Sequence, residues 1–253
     1  MQYDVLLTDI GADEVSVSLA LMNSIQQALP LAVLDVNQAR DWLSYLPILL
    51  RRRVDGDVAR AIQQRYEELG GAVAIIPSKL FFPENARGIS KWRNELFSEH
   101  LVALHERVLL EWAQDTQVQE AYRFSFLPTF GNDMTMRLWS SETGIYASAR
   151  RSIGRIGPLP GPPLYNTQWE ISDKEWQDIC SAIKEHDFWS AETWNTVPEG
   201  YTIISTDHWV MEGVRGKDYK VLLDQTPNEG SAREVGLLLL DLLPDNFALP
   251  PIE

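Results

Sequence analysis

Cysteine and long apolar runs are scarce in this sequence. Among its 253 residues Cys180 is the single cysteine, which excludes an internal disulfide and favours a reducing compartment. The longest apolar stretches, at 46–50 and 235–243, are short and interrupted, whereas a membrane-spanning helix needs roughly 18 apolar residues. The first residues, MQYDVLLTD, have neither the basic start nor the apolar run of a secretion signal. Together these absences predict a cytoplasmic location without a membrane contact.

Positive charge is also scarce. The chain has 22 Lys and Arg against 36 Asp and Glu, a formal net charge of −14. Binding to nucleic acid needs clustered Lys and Arg that neutralise phosphates, so we expect no nucleic-acid partner. An acidic surface instead attracts a basic protein and speeds its association. Acidity that serves only solubility is an equally open alternative.

The few local basic clusters are Arg51–Arg53 and the group Arg150, Arg151 and Arg155. We interpret them as solvated residues of strand edges, where charge deters aggregation. Binding of a phosphate or of an acidic neighbour is the alternative interpretation.

No recognisable metal-binding or catalytic motif is present. His100 and His105 are five residues apart, about 140° round a helix, so they do not point at one metal as the i,i+4 pair of an HExxH motif does. The sequence neighbours His186–Asp187 and Asp207–His208 have the chemistry of a general base, but no partnered nucleophile accompanies them. We therefore predict a protein that is not an enzyme and that has no metal or cofactor. A pocket that gathers Asp207, His208 and a nucleophile would support catalysis instead.

Two weaker chemical signals have simple structural explanations. Cys180 falls on the apolar side of a predicted helix, as expected of a small core residue. The glycines of GRIGPLPG, at 154–161, resemble a phosphate-binding loop in composition only. Pro158 and Pro160 remove backbone N–H donors that such a loop needs, and no Lys-Ser/Thr follows.

The first 77 residues predict a small domain with the order β-α-α-β-α-β. Apolar alternation in YDVLLTD indicates a half-buried strand, and helical spacing follows from Val17 to Pro30. A second helix, capped by Asp35, precedes a strand at 48–54. A third helix over 57–69 ends at Gly70 and leads into a closing strand at 72–76.

This segment resembles the C-terminal domain of the bacterial ribosomal stalk protein over residues 3–76. YDVLL opens it and VARAIQQRYEELGGAVAII closes it, in register with that family's first strand and last helix-strand unit. The family recruits translation factors through lysines on its first two helices. Here Arg40 is the only basic residue of those helices, so the resemblance implies a docking fold without the charge that recruits those factors.

Residues 78–118 are interpreted as a linker followed by a bridging helix. In PSKLFFPENARGI we expect Phe81 and Phe82 to pack against a domain, because a pair of exposed Phe is unfavourable. From Ser90 to about Asp115 the apolar spacing predicts one long helix.

The remainder, 119–253, predicts an α+β domain with an antiparallel sheet and two capped helices. YRFSFLPTF, MTMRLWS and GIYASARRSI are typical of strands, whereas GRIGPLPGPPLYN indicates an irregular loop. Capping boxes start helices at Ser172 and Ser231. HWVMEGVRGKDYKVLLDQ predicts a hairpin that turns at Gly216-Lys217.

This half resembles a group of bacterial proteins of unassigned function. The residues that carry the resemblance are YRFSFLPTF (122–130), RLW (137–139), DFW (187–189), HWVMEGVRGKDYKV (208–221) and SAREVGLLLLDLL (231–243). Such groups are often encoded beside toxins, so the resemblance implies an immunity protein.

The whole chain therefore predicts the α+β class, with domains at 1–77 and 119–253. We expect an acidic cytosolic protein-binding module, an immunity protein that occludes the active site of a basic bacterial toxin. A ribosome- or translation-associated adaptor is the alternative. Interfaces are rich in Trp and Tyr, and the expected partner-binding residues combine aromatic and acidic side chains near loops: Trp189, Glu192, Trp194, Glu199, Tyr201, Asp207, Trp209 and Glu212.

Overall fold

The computed structural model describes residues 1–28, 36–84, 86, 89–116, 118–128, 131–156, 159–191, 207–224, 231–245 and 247. It shows an α+β protein with a three-stranded and a six-stranded sheet. Every strand pair in both sheets is antiparallel. Among the described helices none is both long enough and apolar enough to cross a membrane.

The N-terminal segment has the predicted order β-α-α-β-α-β. Its elements are β1 (Gln2–Asp9), α1 (Glu14–Ala28), α2 (Val36–Leu43), β2 (Ile48–Asp55), α3 (Gly56–Glu67) and β3 (Ala72–Pro77). β1 is central, in the order β2-β1-β3, because its alternating apolar residues Val5 and Leu7 are fully buried in the core of this unit. The predicted cap Asp35 lies outside the described residues.

In this small unit the turn after β1 contacts the turn after α3 through two glycines, Gly11 and Gly70. Gly11 has φ +59°, and a Cβ there would lie 2.0 Å from the carbonyl oxygen of Gly70. Gly70 itself has φ +86° after α3. Only glycine fits at position 11, because the turn after β1 and the turn after α3 touch through their backbones.

The segment that follows packs on the larger sheet. Phe81 and Phe82 are buried as predicted, together with Phe97 of α4 (Lys91–Ala103). The prediction of one helix from Ser90 to Asp115 is wrong, because α4 ends at Ala103 and α5 spans Leu109–Asp115. His105 between them has φ +57°, and Glu106, the next residue, is buried.

The six-stranded sheet has the order β11-β10-β4-β5-β6-β9. Its strands are β4 (Glu120–Leu127), β5 (Met134–Ser141), β6 (Gly144–Ser152), β9 (Pro163–Glu170), β10 (His208–Arg215) and β11 (Asp218–Asp224). A two-stranded hairpin of β7 (Arg155–Ile156) and β8 (Leu159–Pro160) lies between β6 and β9. The β10–β11 turn at Gly216-Lys217 is confirmed, with Gly216 at φ +60°.

The prediction of an irregular loop over GRIGPLPGPPLYN is wrong where the β7–β8 hairpin forms and again from Pro163 onward, where β9 begins. Proline is acceptable at the first residue of an edge strand, because its missing N–H is not needed there. The strand pairs with β6 through Tyr165 and Trp169, which face Arg151 and Ala147.

Two helices cover one face of this sheet. α6 (Asp173–Glu185) begins at the predicted capping box of Ser172 and Glu175, which is confirmed. α7 (Ser231–Leu240) packs beside it, and Glu234 binds His186 at the end of α6 at 2.8 Å. The side chain of Ser231 lies outside the described part, so the second capping box stays a prediction.

Side chain–backbone hydrogen bonds join the N-terminal unit to the helical segment that packs on the larger sheet. Arg52 Nη1 of β2 donates to the Glu95 carbonyl of α4 at 3.1 Å. His105 Nε2 donates to the Pro47 carbonyl at 2.7 Å. The domain boundaries at residues 77 and 118 stay predictions.

Candidate functional site

A surface groove of about 560 Å³ lies at the end of the six-stranded sheet where β4 begins and β10 ends. The turn that follows α6 forms its other wall. The lining combines aromatic, acidic and basic side chains: Glu120, Tyr122, Cys180, Ile183, Lys184, Asp187, Phe188, Trp189, Ser190 and Arg215.

The turn after α6 positions Trp189. Asp187 has φ +53°, which reverses the chain and drives Phe188 into the apolar core. Trp189 remains half-buried, and its Nε1 donates to Tyr122 Oη at 3.1 Å. Tyr122 Oη in turn donates to Glu120 Oε1 at 2.5 Å. The indole ring is therefore fixed by packing below and by a hydrogen-bond chain to β4.

Charges of both signs surround this ring. Glu120 and Arg215 are cross-strand partners on β4 and β10. The Arg215 guanidinium lies 4.6 Å from the Trp189 ring centroid, a cation–π distance. Asp187 is exposed beside them. The groove is thus suited to hold polar side chains of a partner against an aromatic surface.

Burial raises the pKa values of two side chains that line the groove, Tyr122 and Cys180. Burial and the hydrogen bond to Glu120 raise the pKa of Tyr122 well above its usual value. Burial, helped by the charge of Glu120, raises the pKa of the Cys180 thiol to about 12. Cys180 is therefore a neutral thiol at pH 7, which disfavours nucleophilic chemistry.

The predicted partner-binding residues separate into three groups. Trp189 lies in the groove, whereas Asp207 is half-buried just before β10, at the end of that strand remote from the groove. The assignment of Trp209 and Glu212 to a partner surface is wrong, since they are 1 % and 0 % exposed: alternate β10 residues face the two covered sides of the sheet. The remaining four, Glu192, Trp194, Glu199 and Tyr201, lie outside the described residues.

Glu212 belongs to a buried charge cluster on the sheet face opposite the groove. Arg123 of β4 donates from Nε to Glu212 Oε2 at 2.6 Å and from Nη1 to Glu106 Oε2 at 3.3 Å. Tyr219 of β11 donates to Glu212 Oε1 at 2.9 Å. This network joins three adjacent strands to the break between α4 and α5.

Glu106 is the centre of that cluster. Its carboxylate accepts from Arg137 and from Thr135 Oγ1, the latter at 3.0 Å, and Arg150 Nη1 lies 3.5 Å away. Burial alone would raise the pKa of Glu106, but Arg137, Arg123 and Arg150 outweigh it and lower the pKa to about 2. The carboxylate is ionised at every physiological pH, and its role is to neutralise buried arginines.

Two of the arginines predicted to be solvated have internal side chains. The side chain of Arg52 is 5 % exposed and bonds Asp4, Arg150 reaches Glu106, and Arg151 is 7 % exposed. The interpretation as solvated strand edges is therefore wrong for Arg52 and Arg151, whereas Arg150 is half-buried. Cross-strand neighbours, which a linear sequence does not show, decide their burial.

The histidines are occupied in other contacts. His100 Nδ1 and Asp133 Oδ2 are 2.8 Å apart, and both residues are buried. His208 packs on Phe97 with ring centroids 5.0 Å apart, and burial, with the charges of Arg93 and His100, lowers its pKa to about 4. Within the described ranges no group of three His, Cys, Asp or Glu residues is arranged to hold a metal.

A second open groove of about 570 Å³ lies at the same end of the sheet on the opposite face. Trp139 packs edge-on against Trp112 and stacks with Tyr146 at 5.6 Å. Arg137 lies beneath Trp112 at 4.4 Å from its centroid. The rings are thus already engaged with each other and with the charge cluster.

The chain matches no known protein-family model, and comparison with curated proteins finds no match. The two family resemblances inferred from the sequence stay predictions.

Proposed function

We propose that this protein is an acidic cytosolic protein-binding module, and specifically an immunity protein that neutralises a basic bacterial toxin by occluding its active site. The observation that supports this most is the combination of a surplus of surface carboxylates with a fixed, half-exposed Trp189 in a charged groove.

The interior holds almost no net charge. Its buried ionic residues are four carboxylates and three arginines in the described chain, while the whole sequence carries −14. Among the residues whose burial the structure describes, the surplus of carboxylates therefore lies outside the core. One exposed set lies along α6 and its following turn, and of its members Asp187 lines the groove: Asp173, Glu175, Asp178, Glu185 and Asp187.

That distribution favours a cationic partner. Opposite charge steers two proteins together and excludes partners of like charge. The toxin's substrate-binding cleft would be the natural cationic surface if its substrate is a phosphate polymer. Occlusion then needs no chemistry from the immunity protein.

Trp189 supplies the anchor in this proposal. Interface hot spots are enriched in Trp and are surrounded by contacts that exclude water. Arg215 already lies over this ring, so a partner would contact the part of the indole that remains exposed. Glu120 and Asp187 place carboxylates within the same groove.

The test is a calorimetric titration of the purified protein with the product of a toxin-like gene encoded beside it. We expect a complex of submicromolar affinity that weakens with added salt. Trp189→Ala should weaken it by about 2 kcal/mol, near thirtyfold. Absence of a complex at micromolar concentration, with no protection of cells, would reject the proposal.

Trp92→Ala is the matched control. Trp92 is 58 % exposed and lies against an arginine, Arg93, at 5.3 Å, but it is on α4, away from the groove. Its replacement should leave toxin affinity unchanged. Circular dichroism of both variants checks that each remains folded.

An adaptor that binds the translation machinery is the second candidate. The observation that favours it is the exposed apolar face of α1, where Val15 and Leu19, one turn apart, are 48 % and 39 % exposed. Cosedimentation with ribosomes that is lost in Val15→Glu/Leu19→Glu, but kept in Trp189→Ala, would support this function over the first.

A further inference from the structure

Arg151 of β6 is a buried cation in an apolar environment. The residue is 7 % exposed and is the cross-strand partner of Met134 on β5 and Tyr165 on β9. Its guanidinium carbon lies 4.5 Å from the Tyr165 ring centroid and 6.0 Å from that of Phe247. These three neighbours all belong to or pack against the core under α6 and α7.

No carboxylate balances this charge within the described ranges: Arg151 forms no ion pair there, and its buried Nε has no hydrogen-bond partner. Asp133, the neighbour of Met134 in the chain, is bound to His100 of α4, and α4 packs on the other face of the sheet. The guanidinium therefore has aromatic faces beside it and no anion.

Arg137 on β5 is a comparison for Arg151, because it is a buried arginine of the same sheet that has a carboxylate partner. It is equally buried at 7 % and lies at nearly the same distance, 4.4 Å, from a ring centroid, that of Trp112. Arg137, however, donates to Glu106. Buried ions are normally paired because desolvation is expensive, and a cation–π contact compensates for only part of that loss.

We propose that Arg151 is the base of a binding site for a small oxyanion, a phosphate or a carboxylate. Tyr165 and Phe247 hold the planar guanidinium in place, so that its N–H fork is preorganised for two parallel hydrogen bonds to one anion. The proposed site lies next to the edge of the sheet, because β9, which carries Tyr165, is the last strand.

Thermal unfolding of the full chain tests the site. At constant ionic strength, 50 mM inorganic phosphate should raise the midpoint by about 4 °C, since a ligand that binds only the folded state stabilises it. Arg151→Met should abolish this rise and should be at least as stable as the wild type without phosphate, because an uncompensated charge is gone. Arg60→Met, which removes an arginine whose side chain is 68 % exposed, should keep the rise.

A direct measurement makes the result independent of unfolding. The NMR signal of the Arg151 side-chain N–H, assigned by its loss in Arg151→Met, should shift saturably with phosphate. A parallel titration with acetate distinguishes the source: a saturable shift shows that a carboxylate suffices, whereas a shift with phosphate alone assigns the site to phosphate. No shift with either anion, or an equal thermal rise in Arg151→Met, would overturn the proposal.

Discussion

The two faces of the six-stranded sheet are both covered by helices, yet they bury different chemistry. Beneath α6 and α7 lies an apolar layer that includes Phe124, Met136 and Trp209. Beneath α4 and α5 lie two smaller apolar clusters, with the ion network of Glu106 and its arginines between them. One face depends on packing, and the other depends on charge balance.

The difference determines how each face responds to change. Packing is distributed over many contacts, so a single truncation removes only its own share. The network depends on Glu106, because three arginines share its carboxylate. The charged face is therefore more vulnerable to one conservative substitution than the apolar face is.

Glu106→Gln should have the largest effect. It keeps the side-chain shape but removes the charge that neutralises buried arginines, so we expect a loss of about 4 kcal/mol in unfolding free energy. Urea denaturation measures it. Glu142→Gln, at an exposed turn, should change stability by less than about 0.5 kcal/mol. A loss below about 1 kcal/mol for Glu106→Gln would show that the network tolerates imbalance.

The pH dependence of stability should show the same network. The pKa of Glu106 is lowered from 4.5 to about 2 in the folded state, so its contribution is complete above pH 4.5 and is lost as pH falls through 2. That contribution is on the order of 3 kcal/mol. The stability difference between wild type and Glu106→Gln should shrink over this range. A difference that stays constant with pH would contradict the assignment.

On the apolar face, Gly236→Ala should destabilise by about 1–3 kcal/mol. A Cβ at this position of α7 would lie 2.4 Å from Trp209 and 2.9 Å from Phe124. This clash outweighs the gain of about 1 kcal/mol in helix propensity. Leu238→Ala is the control, since Leu238 is 41 % exposed on the same helix and its truncation should cost less. Equal stability of Gly236→Ala and wild type would show that α7 can move away from the sheet.

The smallest loss of stability is expected from a substitution at the N-terminus of α6. Ser172→Ala removes the side-chain oxygen that accepts from Glu175 N at 3.2 Å, and it should destabilise by about 1 kcal/mol. Thermal denaturation measures this loss. Ser181→Ala, at an exposed position inside α6, should be neutral or slightly stabilising. A loss as large for Ser181 as for Ser172 would exclude capping as the cause.

Only part of the candidate site could be predicted from the sequence. The sequence indicates Trp189 through its aromatic and acidic neighbours, but it gives no sign of Glu120, Tyr122 or Arg215. The Glu120–Arg215 pairing depends on the register between β4 and β10. Strand alternation marks the outward residues of each strand, but the residues that meet across strands follow only from the pairing.

Local features of the sequence determine the order of elements. Glycines that adopt positive φ mark turns at Gly11, Gly70 and Gly216, and the capping box starts α6 at Ser172. These signals depend on residues a few positions apart, so they are readable without the fold. They are enough to establish the β-α-α-β-α-β segment and the α+β class.

Only the tertiary structure decides that the helix breaks at 104–108 and which arginines are buried. Helical spacing runs through this segment, but Glu106 is drawn inward by arginines from three different strands. Arg123 and Glu212, 89 positions apart, meet in the same network. A buried charge is stable only beside its partner, and where that partner lies is a property of the folded chain.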